Sequence, residues 1–139
     1  MTVIDQQLTS TTFRATTDQV ALTAGLKNVL HAISSRPPVP VLAGVLMSAS
    51  DTGLTLQGFD YEVSITEQVA GFGARSSVLV HARDLLDMVK DLGKGCPITF
   101  SQDGDKLLVE GDGVTYTLLT MPKDEYPSLL ADADVNAAH

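Results

Sequence analysis

The first half of the chain changes from strand-like to helical hydrophobic spacing. Residues 13–16 are typical of a short strand, and an apolar stripe with a 3.6-residue period follows. Its members fall at i, i+4, i+7, i+8 and i+11: Leu22, Leu26, Val29, Leu30 and Ile33. Thr17 and Asp18 suit a helix N-cap, and the two prolines after Arg36 end the helix, since proline disfavours helical geometry in the residue before it. We therefore expect a helix at about residues 17–34.

Three strand-like segments follow this helix, at residues 41–49, 54–57 and 61–69. An Asp-Thr-Gly turn separates the first two, and Gly-Phe-Asp separates the second from the third. The third alternates apolar with polar residues, which is the pattern of a half-buried strand.

After a Gly-Phe-Gly break the same order of elements repeats. A strand, a helix and three more strands are predicted at residues 77–81, 82–92, 97–101, 106–110 and 114–120. When the strand before each helix is counted as the first, each half has an Asp- and Gly-containing turn between its second and third strands. The repeat is therefore one of element order and not of residue identities. The pattern predicts an α+β fold with pseudo-two-fold symmetry between residues 11–70 and 75–121. Two helices should lie side by side, packed on the sheets.

Length and composition fit one globular domain. The chain has 139 residues, of which 44% are hydrophobic, and no apolar run approaches the ~20 residues of a membrane span. We expect a polar lead at residues 1–10, a domain at 11–129 and a tail or linker at 130–139. The lead has no features of a secretory signal, and a single cysteine, Cys96, excludes an internal disulfide and fits a reducing cytoplasm.

The sequence has no pattern that indicates an active site. The three histidines have no recognised metal-ligand spacing, and Cys96 has no sequence signature of an activating base. Asp60 and Glu62 are close enough for acid–base work, but a turn residue followed by a solvated strand position fits the pattern better. We therefore expect neither an enzyme nor a metal or cofactor site.

Charge is distributed unevenly along the chain. The net charge is −8, yet the two predicted helices with their caps, residues 17–36 and 82–94, have a balance of +1, which leaves −9 for the rest. Arg83, Lys90 and Lys94 lie at i, i+7 and i+11 along one stripe. Lys27 lies on the polar face of the first helix, and Arg36 follows its end. These residues are either solvated helix faces or a surface for weak, sequence-independent contact with a polyanion.

Four segments carry a resemblance to a known family. Residues 35–46 (SRPPVPVLAGVL), 53–56 (GLTL), 58–64 (GFDYEVS) and 120–129 (TMPKDEYPSL) occur in the right order. They resemble the first domain of the bacterial sliding clamp, the beta subunit of DNA polymerase III, in its actinobacterial form. The resemblance runs over nearly the whole chain, and the repeated β-α-β-β-β order is that of the clamp domain.

The resemblance implies a DNA-clamp fold and a role for the helix face. In this family three such domains per chain, and two chains, close a ring around duplex DNA, with helices lining the hole. Arg36 matches the family's DNA-contacting arginine after the first helix, and Arg83 and Lys90 match basic positions on the second. We expect these three to contact duplex DNA weakly and non-specifically, helped by Lys27 and Lys94.

The resemblance also implies an association surface on the last strand. Tyr116 and Leu118 match positions that help form the contact between subunits, with Met88 on the adjacent helix. The two strand residues are two apart and point to the same side, and unpaired strand edges tend to find partners. We expect a two-fold dimer or docking on a full-length clamp through this edge. The alternative is that both side chains belong to the domain's own core.

The expected function is that of an accessory, non-catalytic sliding-clamp (processivity factor) module of bacterial DNA replication, cytoplasmic and nucleoid-associated, with no membrane partner. The alternative is a single-domain interaction protein that docks on a full-length clamp and modulates or blocks it. The family's pocket for partner peptides lies in its later domains, so binding of the replicative polymerase requires further domains. An excised domain, a truncated relative and a small independent protein all stay open.

Overall fold

A computed structural model describes residues 12–127. The predicted lead at residues 1–10 and tail at 130–139 lie outside this part of the chain. The helices are α1 (Gln19–Val29) and α2 (Ala82–Asp91), and short 3-10 turns lie at Leu30–Ala32, Pro40–Ala43 and Lys123–Glu125. The strands are β1 (Arg14–Asp18), β2 (Gly44–Ser50), β3 (Gly53–Phe59), β4 (Ser64–Val69), β5 (Gly71–Gly73), β6 (Ser76–His81), β7 (Pro97–Asp103), β8 (Lys106–Gly111) and β9 (Val114–Met121).

The predicted helices and strands are all present, and the main differences concern three element boundaries and one predicted break. The first helix tightens into a 3-10 turn after Val29, and a second 3-10 turn replaces the predicted start of β2. β4 begins at Ser64 because Tyr61 has a positive φ of 79° and lies in the turn before the strand. The predicted break at residues 71–73 is a short strand. Here a Cβ on Gly73 would lie 2.1 Å from the Arg14 carbonyl oxygen, so glycine permits the close pairing with β1.

The first strand of each half of the repeat pairs with a strand of the other half. The strand order is β4-β3-β2-β6-β9-β8-β7-β1-β5. β1 pairs with β7 of the second half, and β6 pairs with β2 of the first, both antiparallel. This exchange relates the two halves by the predicted pseudo-two-fold symmetry and confirms the α+β clamp architecture.

The last strand, β9, has an edge that is only partly paired. It pairs with β8 from Val114 to Leu119, whereas its pairing with β6 involves only Thr120 and Met121. β9 is therefore internal to the strand order, yet its second edge over residues 114–119 has no strand partner within residues 12–127.

Both helices pack on the same side of the sheet. Leu22, Leu26 and Val29 of α1 share one buried cluster with Leu85 and Val89 of α2 and with inward-facing strand residues. A smaller second cluster includes Val41, Leu42, Phe59, Leu79 and the buried Tyr126, which follows the last 3-10 turn. The side-by-side arrangement of the helices agrees with the prediction.

Candidate nucleic-acid interface

A buried glutamine fixes the two helices relative to each other. The Gln19 side-chain amide donates to the Val89 carbonyl oxygen at 3.1 Å, and its side-chain oxygen accepts from the Gly95 N–H at 2.9 Å. The Gln19 backbone N–H donates to the Cys96 carbonyl oxygen. Because Gln19 begins α1 and Val89 lies near the end of α2, the start of α1 lies against the end of α2.

The start of α1 is fixed in a second way by its N-cap. The Asp18 carboxylate accepts a hydrogen bond from the Ala21 N–H at 2.9 Å, which satisfies one of the free donors of the first turn. Asp18 is thus the predicted cap, and together with Gln19 it holds the exposed side of α1 in a defined orientation.

An open groove of about 430 Å³ lies beside α1 and the end of α2. Lys27 contributes from α1, Lys90 from α2, and Lys94 from the segment after α2. The prediction placed Lys94 in the helix and its cap region, but α2 ends at Asp91. The other lining residues are Gln19, Val20, Thr23, Ala24 and Leu92.

Arg36 and Arg83, the two predicted arginines, lie outside the groove lining. Arg83 is exposed on α2, seven residues before Lys90 and so on the same flank of the helix. Arg36 is exposed in the segment after α1, where its backbone N–H donates to the Ser34 hydroxyl at 3.0 Å. The structure therefore brings the three lysines to one groove, and the two arginines are exposed outside its lining.

The lysines and arginines of this surface make no salt bridge in the described part of the chain. The one close contact between a basic and an acidic side chain within residues 12–127 joins His81 Nδ1 and the Asp84 carboxylate at 3.5 Å. Asp91, the last residue of α2, lies against β9, where the Tyr116 hydroxyl donates to the Asp91 carboxylate. This bond raises the pKa of Tyr116. Asp87, in contrast, lies one helical turn from both Arg83 and Lys90, so negative charge adjoins the basic stripe of α2.

The predicted association residues occupy different environments. Leu118 is 7% exposed and belongs to the core, while Tyr116 and Met88 are half-buried against that core. The exposed apolar residues of β9 are Val114 and Leu119, at 42% and 63%. Tyr116 and Leu118 do share one side of the strand, but that side faces the domain's own interior.

The Asp60–Glu62 pair has the geometry of a turn. The Asp60 carboxylate accepts hydrogen bonds from the Val63 and Glu62 N–H groups at 2.7 and 2.9 Å, which lowers the pKa of Asp60. Glu62 is exposed and lies in the same turn. The structure supports the turn interpretation over acid–base chemistry, and residues 12–127 contain no group of His, Cys, Asp and Glu that could hold a metal ion.

Two residues of this surface have no clear signal in the sequence. Gln19 resembles any polar residue in a first helical turn, and only the structure shows that it is buried. Val20 lies off the apolar stripe and is 51% exposed. An apolar residue outside the stripe is a weak signal of an exposed apolar site, and this one lines the groove.

The two helices on one side of the sheet and the strands exchanged between the halves define a domain of the DNA-clamp type. The family model for the DNA polymerase III beta subunit, N-terminal domain, matches residues 11–130. The chain therefore belongs to the bacterial sliding clamp family and corresponds to its N-terminal domain. Neither helix within residues 12–127 has the length and apolar character needed to cross a membrane.

Two curated relatives come from Streptomyces. The chain is 39% identical over 113 residues to the beta sliding clamp homolog GriR of Streptomyces muensis, covering 81% of this chain and 30% of that protein. It is 40% identical over 100 residues to the beta sliding clamp of Streptomyces coelicolor, covering 71% of this chain and 26% of that protein. The chain thus spans about a third or less of the length of these relatives.

Solved structures agree with the family assignment. The Pseudomonas aeruginosa sliding clamp bound to griselimycin superposes with a TM-score of 0.76 at 31% identity, over 82% of this chain and 31% of that one. The Caulobacter crescentus clamp has a TM-score of 0.78 at 22% identity, over 83% of this chain and 31% of that one, and supports the fold alone.

Proposed function

We propose that this chain is a non-catalytic sliding-clamp module of bacterial DNA replication, acting in the cytoplasm, whose helix face contacts duplex DNA without sequence preference. Arg36, Arg83 and Lys90 are the principal contacts, and Lys27 and Lys94 assist them. The observation that carries the proposal is the convergence of Lys27, Lys90 and Lys94 from three segments on one groove.

The expected affinity is low. A few lysine and arginine side chains contact phosphates electrostatically and read no bases, and non-specific binding of this kind has a Kd of about 10⁻⁴–10⁻⁶ M at physiological salt. The rest of the chain, outside residues 17–36 and 82–94, has a charge balance of −9 against a net charge of −8, and this negative charge moves the affinity toward the weak end of the range.

A pair of charge-matched variants tests the DNA contact. Arg36→Ala with Lys90→Ala removes two cations from the proposed face, and Arg75→Ala with Lys106→Ala removes two exposed cations elsewhere. Binding of a fluorescent duplex is measured at several salt concentrations. The first variant should weaken binding and reduce the slope of log Kobs against log salt concentration by about 2. The second variant should change both quantities less. Equal effects of the two variants would show that only net charge matters and that the assigned face is wrong.

We further propose that the chain associates through β9, with itself or with a full-length clamp. The unpaired edge over residues 114–119 supports this, since such an edge presents free N–H and C=O groups. Tyr116, Leu118 and Met88 then support the strand from the inside, and the exposed Leu119 is the side chain available for contact.

Mass measurement distinguishes a self-associating module from a clamp-docking protein. Sedimentation of the chain alone, and mixed with the Streptomyces coelicolor clamp, should show a dimer in the first case and a mixed complex in the second. Leu119→Lys should shift either species to the monomer, whereas Phe72→Lys, at an exposed aromatic residue on β5, should not. A monomeric parent that also ignores the full-length clamp contradicts both forms of the proposal.

A further inference from the structure

The helix groove contains exposed apolar surface that phosphate contacts do not use. Val20 and Ala24 lie one helical turn apart on α1 and line the groove together with Leu92. Val20 is 51% exposed, although it sits among three lysines whose charges would be satisfied by phosphate alone. A ligand that matches both the lysines and the apolar surface needs negatively charged groups to face the lysines and an aliphatic group to cover Val20 and Ala24.

We propose that the groove between α1 and the end of α2 binds an acidic amphipathic peptide segment of a partner protein. Leucine-like side chains of the segment cover Val20 and Ala24, and its carboxylates pair with Lys27, Lys90 and Lys94. The proposal goes beyond DNA contact and does not depend on it, although the shared lysines make the two ligands compete.

The groove is suited to a peptide because its walls are fixed before binding. Gln19 joins α1 to both Val89 and Gly95 through its side chain, so the lysine-bearing segments keep their spacing without a ligand. A preorganised groove reduces the entropic cost of association. Each exposed ion pair contributes little, so the apolar contact should decide between ligands of equal charge.

Two synthetic peptides of equal charge test this directly. The probe is the acetylated, amidated 12-residue peptide EELEELEELEEL, and in the control peptide each leucine is replaced by serine. The leucine peptide should bind about tenfold or more tightly than the serine peptide, because only leucine side chains gain from burial against Val20. Equal affinities, or no binding of either peptide, would overturn the proposal.

A valine pair provides the matched protein variants. Val20→Ser should weaken binding of the leucine peptide by about fivefold and leave the serine peptide unaffected, whereas Val39→Ser, at an exposed valine outside the groove, should change neither. An equal effect of both variants contradicts the assigned site. Binding of duplex DNA by the parent chain is measured in parallel and reports on the proposed function. If the parent binds the leucine peptide but no duplex, the result contradicts the proposed function and leaves the peptide proposal standing.

Discussion

The side-chain amide of Gln19 donates to the backbone carbonyl of Val89 at 3.1 Å and thereby joins the start of α1 to the end of α2. The same side chain accepts from Gly95, 76 residues away in the chain. One buried residue, 7% exposed, therefore sets the distance between the lysine-bearing segments on which the proposed DNA contact depends.

Gln19→Met should lower the free energy of unfolding by about 1–2 kcal/mol. Methionine keeps most of the volume but removes the partner of the Gly95 N–H and one of the two donors to the Val89 carbonyl, which keeps its bond from the Leu92 N–H. Urea unfolding followed by circular dichroism measures the change. Gln57→Met, at a half-buried glutamine on β3, is the control and should change stability by less than about 0.5 kcal/mol. Equal losses in the two variants would contradict the role assigned to Gln19.

Gly25→Ala should destabilise the domain, although alanine is normally the better helix former by about 1 kcal/mol. A Cβ at this position would lie 2.8 Å from Val69 Cγ2 and 3.1 Å from Leu56 Cδ1, so either α1 or the two packed side chains would have to shift. We expect a net loss of about 1–3 kcal/mol, measured as a shift of the urea midpoint.

The control for the glycine variant is its combination with Val69→Ala, which removes the methyl group nearest to the new Cβ. The added cost of Gly25→Ala should be smaller in the Val69→Ala background than in the parent. Additive effects of the two substitutions would show that α1 does not need glycine for its approach to β4.

Most features that depend on residues close together in the sequence were predicted correctly, and most features that depend on distant residues were not. Hydrophobic spacing predicted the helices because the residues that it selects, such as Leu22, Leu26 and Val29, pack on one face of the helix. Asp18 could be recognised as a cap because its carboxylate accepts from the N–H of Ala21, only three residues along the chain. The exchange of β1 and β6 between halves depends on non-local pairing, in which Asp18 of β1 pairs with Pro97 of β7 and Gly44 of β2 pairs with His81 of β6; no local pattern encodes it. Within the candidate site, the spacing of the basic residues predicted that they share a helix face. The burial of Gln19 and the inward orientation of Leu118 depend on tertiary packing and could not be predicted in this way.

The boundary errors have similarly specific causes. The alternation at residues 61–69 continued through Tyr61 because apolar and polar types alternate there, whereas the hydrogen bonds to the Asp60 carboxylate close a turn that the alternation does not reveal. The Gly71–Gly73 segment has the composition of a break, and it forms β5 because glycine permits close approach to β1.

Tyr126 should make the domain sensitive to alkaline pH. Burial raises the pKa of Tyr126 to about 12, so the folded state favours the neutral phenol while the unfolded chain ionises near pH 10. Its stabilising effect is complete below about pH 10 and is lost as the pH rises toward 12, with a cost of about 2 kcal/mol near the top of that window. Urea midpoints measured across this range should fall.

Tyr126→Phe should remove much of this alkaline loss. The Tyr126 hydroxyl is buried without a hydrogen-bond partner in the described part of the chain, so its removal should leave stability at neutral pH unchanged or raise it by up to about 1 kcal/mol. Tyr116→Phe is the comparison. The bond to Asp91 raises the pKa of Tyr116 too, but Tyr116 is only half-buried, so this variant should reduce the alkaline loss less than Tyr126→Phe does. An undiminished alkaline loss in Tyr126→Phe would contradict the assignment.

The assignment of the helix face to DNA is tested most directly by amide chemical shifts during titration with a short duplex. Binding should perturb the amides of α1, α2 and residues 92–96, and the changes should diminish as salt is added. Amides around Ser48, Thr55 and Ser77, on the opposite side of the sheet, should stay unchanged. Shifts confined to that opposite side, or the absence of shifts in both helices at saturating duplex, would contradict the account.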